Sequence, residues 1–140
     1  MGEESFDFEN LKVYQKSLDY IDFVYEITKN FPKTENFVLT DQWKRASISI
    51  CLNIAEGSGG SKMEFNRFLK IARRSLRECV AITEISYRQK FMTKDIKQRS
   101  RILCLELSKM INGLMKSLIN SSGRYRPAPG GKDARLRTPN

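Results

Sequence analysis

The 140-residue chain contains no histidine. It therefore lacks the side chain most often used for proton transfer near neutral pH and a usual ligand of structural zinc. A carboxylate-bridged metal pair inside a helical bundle would need Glu-x-x-His on two helices, so that site is excluded too. Cysteine is scarce: Cys51, Cys79 and Cys104 stand far apart and form no CxxC pair. They read as three buried thiols, one on each of three helices. Before residue 123 the only proline is Pro32, so little interrupts long helices. No apolar run approaches the roughly eighteen residues of a membrane span. No segment alternates apolar and polar residues as a strand would. The N-terminus, MGEESFDFEN, is acidic and has no apolar signal core. Phe6 stands where a myristoylation motif needs Ser or Thr. A cytoplasmic protein without membrane contact is expected. Glu56, Glu78, Glu84 and Glu106 are scattered singly. No catalytic residue, cofactor or metal is expected, and the chain reads as a non-enzyme.

What the sequence does have is helical periodicity. A first helix is predicted from Phe8 to Asn30, capped by Asp7, with Phe6 and Leu11 forming a hydrophobic staple. It carries two apolar rows: Leu11, Tyr14, Leu18, Ile21, Tyr25 and Thr28, and beside them Val13, Ser17, Tyr20, Val24, Ile27 and Phe31. Two rows bury more than one face. The core is expected on one side and a partner on the other, with Val13, Tyr20, Val24, Ile27 and Phe31 as the oligomer interface. A second helix, from Thr40 or Asp41 to a left-handed Gly57, has Trp43, Ala46, Ile50 and Ile54 as its stripe. The third opens on the capping box Ser61-Lys62-Met63-Glu64, turns Phe65, Leu69, Ala72, Leu76, Cys79, Thr83 and Tyr87 inward, and reaches Gln89. Thr93 caps the fourth, whose stripe is Ile96, Leu103, Leu107, Met110, Leu114 and Leu118. Short connections favour antiparallel neighbours. The predicted class is all-α, an antiparallel up-and-down four-helix bundle over residues 6–122. Residues 123–140, with three prolines and three glycines, read as a disordered basic tail.

Charge is unevenly spread. Residues 1–41 hold four Lys/Arg against nine Asp/Glu, a net −5. Residues 42–122 hold sixteen against six, a net +10, and residues 123–140 five against one, a net +4. Arg67, Lys70, Arg74 and Arg77 follow 3-4-3 spacing and share a helix face, with Arg73 beside them and Arg88 farther along nearly the same line. At the turn into the fourth helix come Arg88, Lys90, Lys94, Lys97, Arg99 and Arg101, with only Asp95 against them. This density suits phosphate backbones, and the expected partner is RNA or DNA. No base-reading motif accompanies it, so recognition should follow shape and charge. The bland alternative is a solvated face paired with Asp19, Asp22 and Glu26 of the first helix. The GSGGSK stretch fails the phosphate-loop spacing and reads as a turn, though the third helix's N-terminus could still meet a phosphate.

Several segments carry a resemblance: Phe8 through Tyr14; Phe31-Pro32; QWKRASISICLNIAEG, 42–57; Glu64-Phe65; Phe68-Leu69; Ala72; and Ser75-Leu76-Arg77-Glu78. They resemble the bacterial four-helix bundle proteins encoded in intervening sequences of large-subunit ribosomal RNA genes. Asn53-Ile54-Ala55-Glu56-Gly57 is the most specific part, and the likeness spans roughly residues 6–120. Arg74 departs from the family's small residue there and adds charge. The resemblance implies an up-down bundle assembling into a homopentameric barrel. A related group, the accessory variability determinants of diversity-generating retroelements, implies a reverse transcriptase and its template RNA as partners. The functional expectation is a basic scaffold for nucleic acid or a nucleic-acid enzyme. The rival is a structural homo-oligomer or protein-interaction module with no nucleic-acid role.

Overall fold

A computed structural model describes residues 4–121; the tail lies outside them. The regular structure among the described residues is all helical, with no strand. A 3-10 turn at Asp7–Asn10 leads into α1 (Lys12–Thr28), and a second at Lys33–Glu35 precedes α2 (Leu39–Gly57). Helices α3 (Lys62–Arg88) and α4 (Lys94–Ser121) follow. The first helix starts later than the periodicity suggests because its cap is not Asp7. The Glu9 carboxylate accepts the Phe6 N–H at 2.8 Å and closes a 3-10 turn instead. The Phe6 ring stacks on Phe8 rather than stapling to Leu11.

Side-chain pairs fix the up-down order. The Tyr20 and Ser100 hydroxyls meet, and Lys16 meets Glu106, so α1 and α4 run oppositely. Ser49 meets Ser75 while Gly57 abuts Phe65 and Phe68, so α2 and α3 do too. Each helix packs closely on its two neighbours, and the backbones of α1 and α3 make no close approach. These two helices are therefore diagonal.

The core holds one continuous polar thread. Trp43 Nε1–H donates to Tyr20 Oη at 3.1 Å, and Tyr20 Oη shares a proton with Ser100 Oγ at 2.9 Å. All three residues are buried, so the thread satisfies groups that would otherwise be left dry and unpaired. Cys51, Cys79 and Cys104 are buried free thiols, as expected. Burial pushes all three thiols and the Tyr20 phenol up.

Two expectations are corrected here. Val13, Tyr20, Val24, Ile27 and Phe31 are not an exposed interface: each is at most 8% exposed and packs in the chain's own core. The periodicity found two rows correctly but could not say which faced inward. Tyr20 decides it, because only that row meets Trp43 and Ser100. The outward row is the other, with Leu18 and Tyr25 exposed and Ile21 half-buried. Gly57 is not a left-handed cap either. It is the last helical residue, and Ser58 follows with φ −67°. A Cβ at Gly57 would stand 2.5 Å from Phe68 Cβ, so the glycine lets α2 and α3 cross closely.

The third helix begins as its sequence indicates. Glu64 N–H donates to Ser61 Oγ and Ser61 N–H to the Glu64 carboxylate, each at 3.1 Å. Thr93 Oγ1 accepts the Ile96 N–H at 3.2 Å. The link from α3 to α4 closes with Phe91 N–H donating to Ser86 O and Lys90 N–H to Tyr87 O. This pairing requires a left-handed residue, and Lys90 takes it at φ 67°.

Candidate nucleic-acid interface

Helix α3 keeps Phe65, Leu69, Ala72, Leu76 and Cys79 inside. The 3.6-residue repeat then forces Arg67, Lys70, Arg74 and Arg77 outward, and all four are exposed. From Arg67 to Arg77 the row runs about 15 Å. Among the described residues none of the four has a carboxylate within ion-pair distance. The ion pairs lie elsewhere, at Lys16–Glu106, Lys29–Glu26, Arg45–Asp41 and around Glu84.

The diagonal placement of α1 and α3 explains this. Asp19, Asp22 and Glu26 sit across the bundle from the basic row, so the acidic first helix cannot neutralise it. Glu26 pairs locally with Lys29. The contact from α1 to α4 has the opposite sense, a lysine on α1 and a glutamate on α4.

The other predicted residues divide by surroundings. Arg73 is half-buried and its Nη1 donates to Asn112 Oδ1 at 2.9 Å, bracing α3 against α4. Arg88 and Lys97 share Glu84, each at 3.1 Å. Their hydrogen bonds, Lys97's first, hold the Glu84 carboxyl below the usual glutamate range. Lys97 Nζ also lies 4.2 Å from the Tyr87 ring centroid. These two cations are thus partly satisfied within the fold. Lys90, Lys94 and Arg101 are exposed. Arg77 and Arg101 flank a cleft of about 140 Å³ between α3 and α4, floored by Leu76, Val80, Cys104 and Leu105.

Reading along the chain found the cluster at the turn into the fourth helix but missed the lysines that join it. Phe31 packs on Phe91 with ring centroids 5.7 Å apart, so the α1–α2 and α3–α4 connections share one end. Lys29 and Lys33 there join Arg88 and Lys90 of the other connection. The lysines were hidden in a segment whose sum is acidic. Only the topology separates its basic end from its acidic shaft. At the GSGGSK turn, by contrast, the Glu64 N–H is already taken by Ser61 Oγ and the Ser61 N–H by the Glu64 carboxylate.

Residues 9–113 match the 23S rRNA-intervening sequence protein family. The chain belongs to that family. A solved relative in fold is a protein with unknown function from the S23 ribosomal protein family of Bacteroides thetaiotaomicron. It is 24% identical, with a TM-score of 0.68 over 74% of this chain and 95% of that one. No curated protein matches the chain. Membership of the intervening-sequence family agrees with the resemblance read from Asn53–Gly57 and the α3 segments. Among the described residues no helix is long and apolar enough to cross a membrane.

Proposed function

We propose that the chain is a non-enzymatic scaffold that binds nucleic acid through its phosphate backbone, using the outer face of α3 and the α3–α4 end of the bundle. The observation that carries this reading is the row Arg67, Lys70, Arg74 and Arg77. All four are exposed, none is ion-paired among the described residues, and the acidic residues of α1 are held on the far side. Membership of a family named for a ribosomal RNA intervening sequence supports RNA as the polymer. Lys90, Lys94 and Arg101 extend the surface. Arg88 and Lys97 contribute less, since Glu84 already faces them. The finer form of the proposal is an accessory protein of a reverse transcriptase, bound as a ring of copies, most simply a homopentamer.

Self-association has a candidate surface different from the one periodicity suggested. Lys44 Nζ lies 4.4 Å from the Tyr25 ring centroid, so the α1 row borders the α2 row Lys44, Ile48 and Leu52. Leu18 and Leu52 are 40% and 60% exposed, with half-buried Ile21 and Ile48 beside them. A shared apolar strip of this kind favours a second copy over water. Repetition around a ring would convert weak single-site attraction into avidity.

Fluorescence anisotropy with a labelled RNA, titrated across salt, tests the polyanion reading. Log affinity should fall linearly with log salt and differ little among unrelated sequences of equal length. Each lost phosphate contact lowers the salt slope by about 0.7–0.9, so the Arg74→Glu, Arg77→Glu pair should lower it by about 1.4–1.8 and weaken binding without unfolding. No binding at low salt, or binding unchanged by the pair, refutes the α3 face. The first result would leave a structural oligomer as the better description. Light scattering tests the strip: Leu18→Glu with Leu52→Glu should dissociate the assembly and retain helix content.

A further inference from the structure

Phe37 stands in the connection before α2 and is 93% exposed, more than any other large apolar residue described. Its ring meets no other ring among the described residues. A single exposed ring needs no explanation by itself, but this one has a particular place. Phe31 packs on Phe91, so Phe37 belongs to the same end of the bundle as the α3–α4 connection.

That connection carries an open cleft of about 420 Å³, within the range of small-ligand sites. It is lined by Tyr87, Arg88, Lys90, Phe91, Met92 and Thr93. Two aromatic rings and a thioether form its apolar part and two cations its charged part, with no carboxylate in the wall. Met92 is buried and Phe91 leans on Phe31, so the apolar part is anchored in the core. Lys97 Nζ occupies one face of the Tyr87 ring, so a stacking ligand would take the other.

Charge alone does not suit this end to a polyanion. Glu26 is paired with Lys29, Asp41 with Arg45, and Glu84 with both Arg88 and Lys97. Glu35 and Asp95, without ion pairs among the described residues, stand against Lys33, Lys90 and Lys94. The positive excess is small, unlike that of the α3 row. A ligand held here needs more than phosphates. Aromatic rings set among cations are what a nucleobase stacks on, and every base has such a face. A base inside a duplex is already stacked and paired, so only an unpaired one can enter. The cleft also continues the α3 row: Arg88 returns to nearly the line of Arg77 roughly 16 Å farther along the helix, with Tyr87 beside it.

We infer that this end of the bundle takes unpaired nucleobases, so that the polymer held by the α3 row is a single strand. One base stacks on Tyr87 in the cleft, with Lys90 meeting its phosphate, and Phe37 offers a second platform. This rests on the backbone binding proposed above and adds to it the choice of single strand over duplex.

The test is anisotropy competition on the full chain with three probes of equal length: an oligodeoxyadenylate, the same strand without its bases, and a fully paired duplex. Stacking uses the face of the base and needs no 2′-hydroxyl, so deoxy strands suffice. Charge alone favours the duplex, whose charge density is higher. Stacking reverses that order, so the base-bearing single strand should bind most tightly. The abasic strand should bind about fivefold or more weakly at every salt, with the same salt slope, because its phosphates are equal in number. Phe37→Ala and Tyr87→Leu should each weaken the base-bearing strand by about fivefold and leave the abasic strand unchanged, and Tyr87→Phe should keep full binding. Arg74→Glu with Arg77→Glu should weaken both strands alike. Phe37 lies almost wholly in water, so Phe37→Ala should fold normally. Equal binding of the two strands, a tighter duplex, or Phe37→Ala and Tyr87→Leu variants that bind like the original chain or weaken both strands alike would overturn the base site. A steep salt slope in those cases would leave the backbone reading standing. No binding of any probe at low salt would remove both.

Discussion

Replacing Gly57 with alanine places a methyl where the third helix already stands. Its Cβ would lie 2.5 Å from Phe68 Cβ and 3.1 Å from both Phe65 Cδ1 and Phe68 Cγ. Ordinary carbon contacts are about 3.5–4.0 Å. The α2–α3 crossing would have to open by roughly 1 Å, because Phe68 Cβ is fixed to backbone and cannot swing aside. Overpacking of this kind costs about 1–3 kcal/mol. Alanine returns up to about 1 kcal/mol through its better helix propensity. The net expectation is a loss of about 1–2 kcal/mol, read as a lower midpoint in urea denaturation with an unchanged slope. Gly57→Asn separates this cause from a left-handed cap. Asparagine suits a left-handed position but is bulkier, so close crossing makes Asn worse than Ala. If Asn were tolerated better than Ala, the close-crossing argument would be refuted.

Other expectations follow from named contacts. Tyr20→Phe removes the middle of the buried thread and leaves Trp43 Nε1–H and Ser100 Oγ without their partner, costing about 1–3 kcal/mol in urea denaturation. Lys90→Gly should raise stability by about 1 kcal/mol, because glycine holds a left-handed φ without the Cβ penalty; calorimetry should find a melting temperature a few degrees higher. Glu84 has a folded pKa below its unfolded one, so its pairs with Arg88 and Lys97 stabilise above the ordinary glutamate range and are lost as pH falls through the folded value. Carboxyl NMR should find Glu84 titrating below the ordinary glutamate range, and Lys97→Gln should bring it back toward that range. The buried thiols of Cys51, Cys79 and Cys104 should resist a thiol reagent in the native state and all react in denaturant; fast native labelling of any one would contradict its placement.

Much of the bundle could be read from spacing alone. Trp43, Ala46, Ile50 and Ile54 are buried as their stripe requires, and so are Phe65, Leu69, Ala72, Leu76 and Cys79. The Ser61–Glu64 box and the Thr93 cap follow from local hydrogen-bond chemistry that needs no tertiary information. What failed needed the third dimension. Two adjacent apolar rows on α1 are equivalent until Tyr20 finds Trp43 and Ser100. A glycine at a helix end looks the same whether it is left-handed or pressed against Phe68. On α4 the buried line is Ser100, Cys104, Leu107, Ile111, Met115 and Leu118, so the predicted row holds at Leu107 and Leu118 and is one position off at Leu103, Met110 and Leu114, which are half-buried. The cationic row on α3 was legible because its residues share one helix. So was the cluster at the turn into the fourth helix, but not the lysines that join it, since Lys29 and Lys33 meet Arg88 and Lys90 only after the chain has folded twice.

The diagonal placement of α1 and α3 gives the molecule a permanent electric dipole across its width. A polyanion's field exerts a torque on such a body before any contact forms. The bundle should therefore arrive already turned, with α3 leading and α1 trailing. Correct orientation then comes from the long-range field rather than from repeated collisions, and association should slow sharply as salt shortens that field's reach. The trailing side carries Leu18 and Leu52. On the proposed reading, a strand held by α3 would leave that strip open to a second protein chain.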